Sequence, residues 1–249
     1  MKIKSNYIKP KFKKTFNPKV GLLALSTDLT IEKDFNSICN RLPVDVFVNR
    51  IHNENPLNKE NLLKMHKKIQ PITEKILPGE KINTVAYGCT SGTIAIGENK
   101  VKEEIQLAKP DCYVTTPITS AIKAFKLMSI KKIAVFTPYP ESVNKTIYDY
   151  FSKKNIEVLS FGTFNLELDS DFANIDPKHL FETLINLDIS GADALFISCT
   201  ALPVLEILNE VEKKINKPVF SSNQTLIWDT IRSVGYKKSI EGYGQLFKK

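Results

Sequence analysis

A chain of 249 residues with 42% hydrophobic and 25% charged side chains has the balance of a folded protein and the length for a large core or two lobes, which excludes extended disorder. No apolar run approaches the roughly 18 residues that cross a bilayer, and no signal-like apolar segment follows the basic N-terminus, so a cytoplasmic protein without a membrane partner is expected. Of the formal net charge of +8, seven units sit on Lys2, Lys4, Lys9, Lys11, Lys13, Lys14 and Lys19 with no acid among them; residues 1–18 read as a solvated arm or a dimer arm rather than a nucleic-acid hook.

The first apolar run, VGLLAL from Val20, passes into Ser26, Thr27 and Asp28. Short Val-, Ile- and Leu-rich runs bounded by Ser, Thr, Gly and Pro read as buried parallel strands. Cys39 falls in a helical pattern, and apolar residues recur at helical spacing over 61–76. TVAYG from Thr84 is the next strand, ending on Cys89 and Thr90, with a helical stretch over 93–107 behind it. Cys112 lies in KPDCYV. KIAVFT from Lys132 ends in Thr137, Pro138 and Tyr139 before a helical stretch over 141–154. After a further helical stretch over 178–187, ALFIS from Ala194 ends on Cys199 and Thr200. The strand-like PVF then meets a polar cluster, Ser221, Ser222, Asn223 and Gln224. Strands alternating with helices predict a doubly wound α/β fold.

An internal duplication is visible. The separation of Ser26 from Cys89 matches that of Thr137 from Cys199 to within one residue. Two lobes are therefore expected, each placing a Cys-Thr pair at the carboxyl end of a strand, where open α/β sheets bind ligands.

The four cysteines lack the CxxC or Cys/His spacing of a zinc site, and in a reducing compartment they are expected as free thiols. Cys89, in GCTSGT, sits between a strand and a helix. It reads either as a reactive thiol activated at a helix N-terminus or as a buried strand-end side chain. Cys199 repeats the arrangement, whereas Cys39 and Cys112 have no such setting and read as structural. GCTSGT lacks the lysine of a phosphate loop, there is no GxSxG elbow, and His52, His66 and His179 have no visible link to either turn. What remains is two thiols among hydroxyls and amides, an inventory suited to proton transfer at carbon. If the lobes close on each other, the thiols face one pocket from two sides. One removes a proton and the other returns one; alternatively a thiolate adds to a double bond, allows rotation and leaves. Tyr139 and the 221–224 cluster read either as pocket material or as ordinary turns and caps.

STDLTIEKDF, YGCTSGT, TPY, FISCTALP and SSNQTLIWD, in this order over residues 19–232, resemble the aspartate/glutamate racemase superfamily. The likeness is to the branch of maleate cis-trans isomerases, arylmalonate decarboxylases and ectoine-utilisation proteins. The resemblance implies two Rossmann-like lobes with parallel sheets related by pseudo-two-fold symmetry, an active site between them, no cofactor, no metal and a homodimer. The expected division is 19–118 plus 218–249 for the first lobe and 119–217 for the second. Cys89 and Cys199 would be catalytic, with Ser26, Asp28, Thr90, Ser91, Tyr139, Thr200 and Asn223 binding a small-molecule substrate. Arylmalonate decarboxylases carry glycine at the first cysteine position; having both thiols, this chain looks more like a racemase or isomerase. Asp28 and Asp169 stand where maleate isomerases carry asparagine, a change that would repel a substrate carboxylate and receive an amide or amino group better; this favours the ectoine-utilisation branch.

Three functions follow as expectations: a cofactor-independent racemase or cis-trans isomerase acting on a small carboxylate or amino-acid derivative; an arylmalonate-type decarboxylase in which Cys199 protonates a carbanion; and a non-catalytic small-molecule-binding protein.

Overall fold

The computed structural model describes residues 7–249; Lys2 and Lys4 of the basic leader lie outside the described residues. Strands β1 (Lys19–Leu25), β2 (Asp45–Ile51), β3 (Thr84–Tyr87) and β4 (Tyr113–Thr115) form one parallel sheet in the order β2-β1-β3-β4. Strands β5 (Lys132–Thr137), β6 (Glu157–Thr163), β7 (Ala194–Ile197) and β8 (Val219–Ser221) form a second in the order β6-β5-β7-β8. The same topology twice is the duplication seen in the sequence.

The helices between the first strands are α1 (Ile31–Cys39), α2 (Lys59–Lys64), α3 (His66–Glu74), α4 (Thr90–Ile96), α5 (Glu98–Ala108) and α6 (Pro117–Leu127). Those of the second half are α7 (Glu141–Lys153), α8 (Asp169–Ala173), α9 (Pro177–Ile185), α10 (Leu205–Ile215) and α11 (Ser222–Ser233). The stretch expected as one helix over 93–107 is broken at Gly97, whose φ of 100° is open to glycine and to few other residues. Among the described residues, no helix is long and apolar enough to cross a membrane.

The central strands are buried along almost their whole length, because helices cover both faces of a parallel sheet. The edge strands β2 and β6 are half-exposed and mixed in composition. Lys19, counted with the leader in the sequence, begins β1 and pairs with Glu80, so it belongs to the fold.

Each half lends its last helix to the other. α6 follows the first sheet, yet its Phe125 ring packs edge-on against Phe196 of β7 and Phe220 of β8, at 5.7 and 5.1 Å, and lies 6.0 Å from Phe151 of α7. α11 follows the second sheet, yet it ties to the first through Thr84–Ser233 and Thr115–Thr230 hydroxyl pairs at 2.7 and 2.8 Å. The crossing helices bind each other where Asp229 accepts from Ser120 at 2.9 Å and from Lys123 at 2.7 Å.

The expected placement of residues 218–249 with the first lobe needs correction at its start. β8 pairs in register with β7, Leu195 opposite Val219, so this strand belongs to the second sheet and the chain crosses over only after Ser221. A three-residue strand has too little side-chain surface to choose a sheet; it follows the ladder hydrogen bonds that β7 offers.

Phe125 is fully buried at the junction of the halves. Phe125→Ala is expected to lower unfolding free energy by about 3–5 kcal/mol, read as a drop in the urea midpoint. A change below about 1 kcal/mol would show that the exchanged helix is not a main tie between the sheets.

Candidate active site

β3 and β7 hold the same place in their sheets, and each is followed by one residue and then a cysteine: Gly88-Cys89 and Ser198-Cys199. Cys89 is the N-cap of α4, its Sγ accepting the Gly92 N–H at 3.2 Å. Cys199 Sγ accepts the Ala201 N–H at 3.3 Å. Gly92 is required by this geometry, since a Cβ there would stand 2.7 Å from Cys89 Sγ and 2.9 Å from the Tyr87 hydroxyl.

The two turns meet. The Thr200 hydroxyl donates to the Gly88 carbonyl at 3.4 Å, Thr30 donates to the Ala201 carbonyl at 2.7 Å, and Thr90 and Ser222 share a hydroxyl pair at 2.9 Å. Cys89 and Cys199 are 2% and 4% exposed, so the site is closed. Each thiol has a tyrosine hydroxyl beside it, Tyr87 at Cys89 and Tyr139 at Cys199.

Carboxylates surround this pair. Asp28, after β1, accepts the Thr30 and Ile31 N–H groups at 2.8 and 2.9 Å and starts α1. Asp169, the first residue of α8, accepts from Thr27 and, at 3.0 Å, from Asn53. Asp34 of α1 accepts from Asn223 Nδ2 at 2.7 Å, and the same nitrogen donates to the Thr200 carbonyl at 2.7 Å.

Burial dominates the electrostatics. It pushes the Cys89 thiol up to about 12, with Asp169 and Asp28 adding to the rise and the Gly92 N–H opposing it. Cys199 is raised by burial and then by Asp169, against the Tyr139 contact. Asp28 and Asp169 are both raised by burial, opposed by the donors just named and, at Asp28, also by the Thr200 hydroxyl. Asp34 is raised to about 8 for the same reason, with Asn223 opposing. In the closed site both thiols hold their protons at neutral pH.

Of the residues singled out in the sequence, Cys89, Cys199, Asp28, Thr90, Ser91, Tyr139, Thr200 and Asn223 are all buried around the two touching turns. Ser26 is not among them. It is exposed, and its neighbour Thr27 is the residue of that turn that reaches Asp169. The sequence reading passed over Asn53, Tyr87 and Asp34. Asp34 had a signal: a carboxylate on the core face of α1, with Ile31, Phe35 and Ile38. Cys39 and Cys112 lie buried in the core away from these turns, while His52 and His179 are exposed and His66 half-buried.

The family model of arylmalonate decarboxylase matches residues 98–247, a span that holds Cys199 and begins after Cys89. The chain belongs to the arylmalonate decarboxylase family. Within and around that family it is 24% identical over 244 residues to a maleate isomerase of Geobacillus stearothermophilus, covering 92% of this chain and 96% of the relative. It is 24% identical over 136 residues to the arylmalonate decarboxylase of Bordetella bronchiseptica, covering 53% of this chain and 57% of that one. Among solved structures, a cysteine-to-serine mutant of Nocardia farcinica maleate cis-trans isomerase, which holds a covalently bound succinylcysteine intermediate, superposes with a TM-score of 0.85 at 17% identity over 93% of this chain and 98% of that one. The two-sheet architecture is thus a fold this family shares with the isomerases.

With both thiols protonated and enclosed, alkylation of Cys89 and Cys199 by iodoacetamide at pH 7 is expected to run at least ~10-fold slower than that of a free thiol and to speed up as pH rises toward 12. Labelling at the free-thiol rate, read by peptide mass spectrometry, would contradict the closed, protonated state.

Proposed function

We propose that this protein is a cofactor-independent isomerase of small carboxylates or amino-acid derivatives, working by racemisation or cis-trans isomerisation, with Cys89 and Cys199 as its catalytic pair. The observation that carries this reading is the pairing itself: two thiols on equivalent strand ends of two duplicated sheets, each taking a backbone N–H on its sulfur and each beside a tyrosine hydroxyl. Relatives that are maleate isomerases, one with a cysteine adduct, support it.

Such a pair can work in two ways. In racemisation, one thiolate takes the proton from carbon on one face, and the opposite thiol gives its own proton to the other face, which leaves the thiolate on the second sulfur. In cis-trans isomerisation, a thiolate bonds to one alkene carbon while the second thiol protonates its neighbour. The former double bond, now single, rotates; the proton returns to the second sulfur and the C–S bond breaks. Ser91 and Tyr139 supply hydroxyls to the negative charge that develops. Either route needs one thiolate, so the substrate must offset the burial that keeps both sulfurs protonated.

A second reading, decarboxylation with Cys199 as the proton donor, draws support from the family match. It would suit an apolar wall beside the departing carboxylate, whereas Asp28, Asp169 and Asn53 make these surroundings polar. A cytoplasmic homodimer with a role in ectoine utilisation is the setting we favour, and its support is the resemblance of the turn motifs.

Cys89→Ala and Cys199→Ala are each expected to lower kcat by at least ~10³-fold with unchanged circular dichroism. The assay follows isomer interconversion and deuterium uptake from D₂O over a panel of small dicarboxylates, their amides and amino acids. Full activity in either variant sinks the two-thiol mechanism. Carbon dioxide release that survives Cys89→Gly would replace it with the decarboxylase.

A further inference from the structure

Two buried acceptors beside the thiols are short of donors. Asp28 is 1% exposed; its Oδ1 takes both backbone N–H bonds, while Oδ2 has no hydrogen-bond partner. The one hydroxyl near it, that of Thr200, stands between two acceptors, the Asp28 carboxyl group and the Gly88 carbonyl at 3.4 Å, and has a single proton for both. Asn223, 2% exposed, gives its amide nitrogen to Asp34 Oδ2 and to the Thr200 carbonyl, and its Oδ1 likewise has no partner. The direction of that amide follows from its neighbours. A backbone carbonyl can only accept, so turning the amide over would set oxygen against oxygen.

Native proteins leave few buried polar groups unpaired, and each one asks for an explanation. Ser198 Oγ and Trp228 Nε1 are also without partners, but a hydroxyl can turn to either role and an indole only donates. Asp28 Oδ2 and Asn223 Oδ1 are alike: both accept, and both adjoin Thr200 at the Cys199 turn. No cation of the same turn answers them, because Arg50 is occupied by the carbonyls of Leu25, Ser26 and Asp28 and by Glu32. A group that completes this pair must bring N–H bonds. A second carboxylate would set its own lone pairs against these oxygens in a dry site.

We propose that the substrate carries a donor nitrogen, an ammonium or carboxamide group, seated between Asp28 Oδ2 and Asn223 Oδ1, with Asp34 as the positioning residue that holds the Asn223 amide in its accepting orientation. This rests on the reading of the site as that of an isomerase and narrows its substrates to nitrogen-bearing monocarboxylates, whose carboxylate is left to the hydroxyls of Ser91 and Tyr139. A cationic nitrogen would also lower the pKa of the adjoining thiols, supplying the offset to burial that a thiolate needs.

The test compares maleate with maleamate, the same skeleton with one carboxylate replaced by a carboxamide. Binding is measured by calorimetry on a Cys89→Ser, Cys199→Ser double variant, so that turnover plays no part. Maleamate is expected to bind at least ~10-fold more tightly, and adding Asp28→Asn to erase or reverse that preference. Asp34→Ala is expected to weaken maleamate while sparing maleate; a merely structural role would weaken both alike. Equal affinities, a preference for maleate, or binding of neither overturns the proposal. Activity of the native protein is read separately. Maleamate that binds preferentially without being isomerised would remove the isomerase reading and leave the donor-nitrogen site standing, whereas isomerisation of maleate in preference to maleamate would do the reverse.

Discussion

The structure depends on one contact, the closure of two strand-end turns on each other. Thr200 reaches the Gly88 carbonyl, Thr30 reaches the Ala201 carbonyl, and Thr90 meets Ser222, so that residues adjoining each cysteine are bonded to the opposite half of the chain. Separately, each sheet would end in an exposed polar turn of the kind many α/β proteins have. Together they make a buried polar site, in which a hydroxyl or carboxylate without a partner is costly. The exchanged helices make the closure possible: α6 fills the second sheet and α11 the first, which leaves the carboxyl edges nowhere to face but each other.

Closure sets the chemistry. Burial raises Cys89, Cys199, Asp28 and Asp169 together, so closure works against the charged form of each. Donors already in place oppose that rise at fixed points, the Gly92 and Ala201 N–H groups on sulfur and the Thr30 and Ile31 N–H groups on Asp28. Such groups are poised rather than inert, since a ligand that adds one more donor or a positive charge shifts the balance toward a thiolate.

The central strands and both cysteine turns were legible in the sequence for a physical reason. A strand covered on both faces is apolar throughout, and β1, β3, β5 and β7 read as uninterrupted runs ending in Ser, Thr or Cys. The edge strands β2 and β6 were passed over, because half-exposed positions mix Asn, Arg, Glu and Ser into them. The order of burial within the turn after β1, with Asp28 buried, Thr27 half-buried and Ser26 exposed, is set by the turn's geometry and has no counterpart in the residue pattern. Asp34 and Asn223 are 189 residues apart, and no local pattern announces that a carboxylate of one helix orients an amide at the start of another.

The halves repeat in topology but not in chemistry, and the difference bears on which reaction the pair performs. After β1 comes Thr27-Asp28, while after β5 comes Pro138-Tyr139. Cys89 therefore meets a tyrosine from its own strand, Tyr87, whereas Cys199 meets one from the turn after the neighbouring strand β5, Tyr139. Each sulfur keeps one backbone N–H bond, from three residues on at Cys89 and two residues on at Cys199, and Asp169 is the larger of the two carboxylate influences on each. In a racemase the two thiols exchange the same two roles, acid and base, between the two directions, so like surroundings suffice. A cis-trans isomerase uses one sulfur to bond carbon and the other to shuttle a proton, and for that division of labour unequal surroundings are an advantage. The asymmetry built on this symmetric frame therefore argues, within the proposed function, for the isomerisation route.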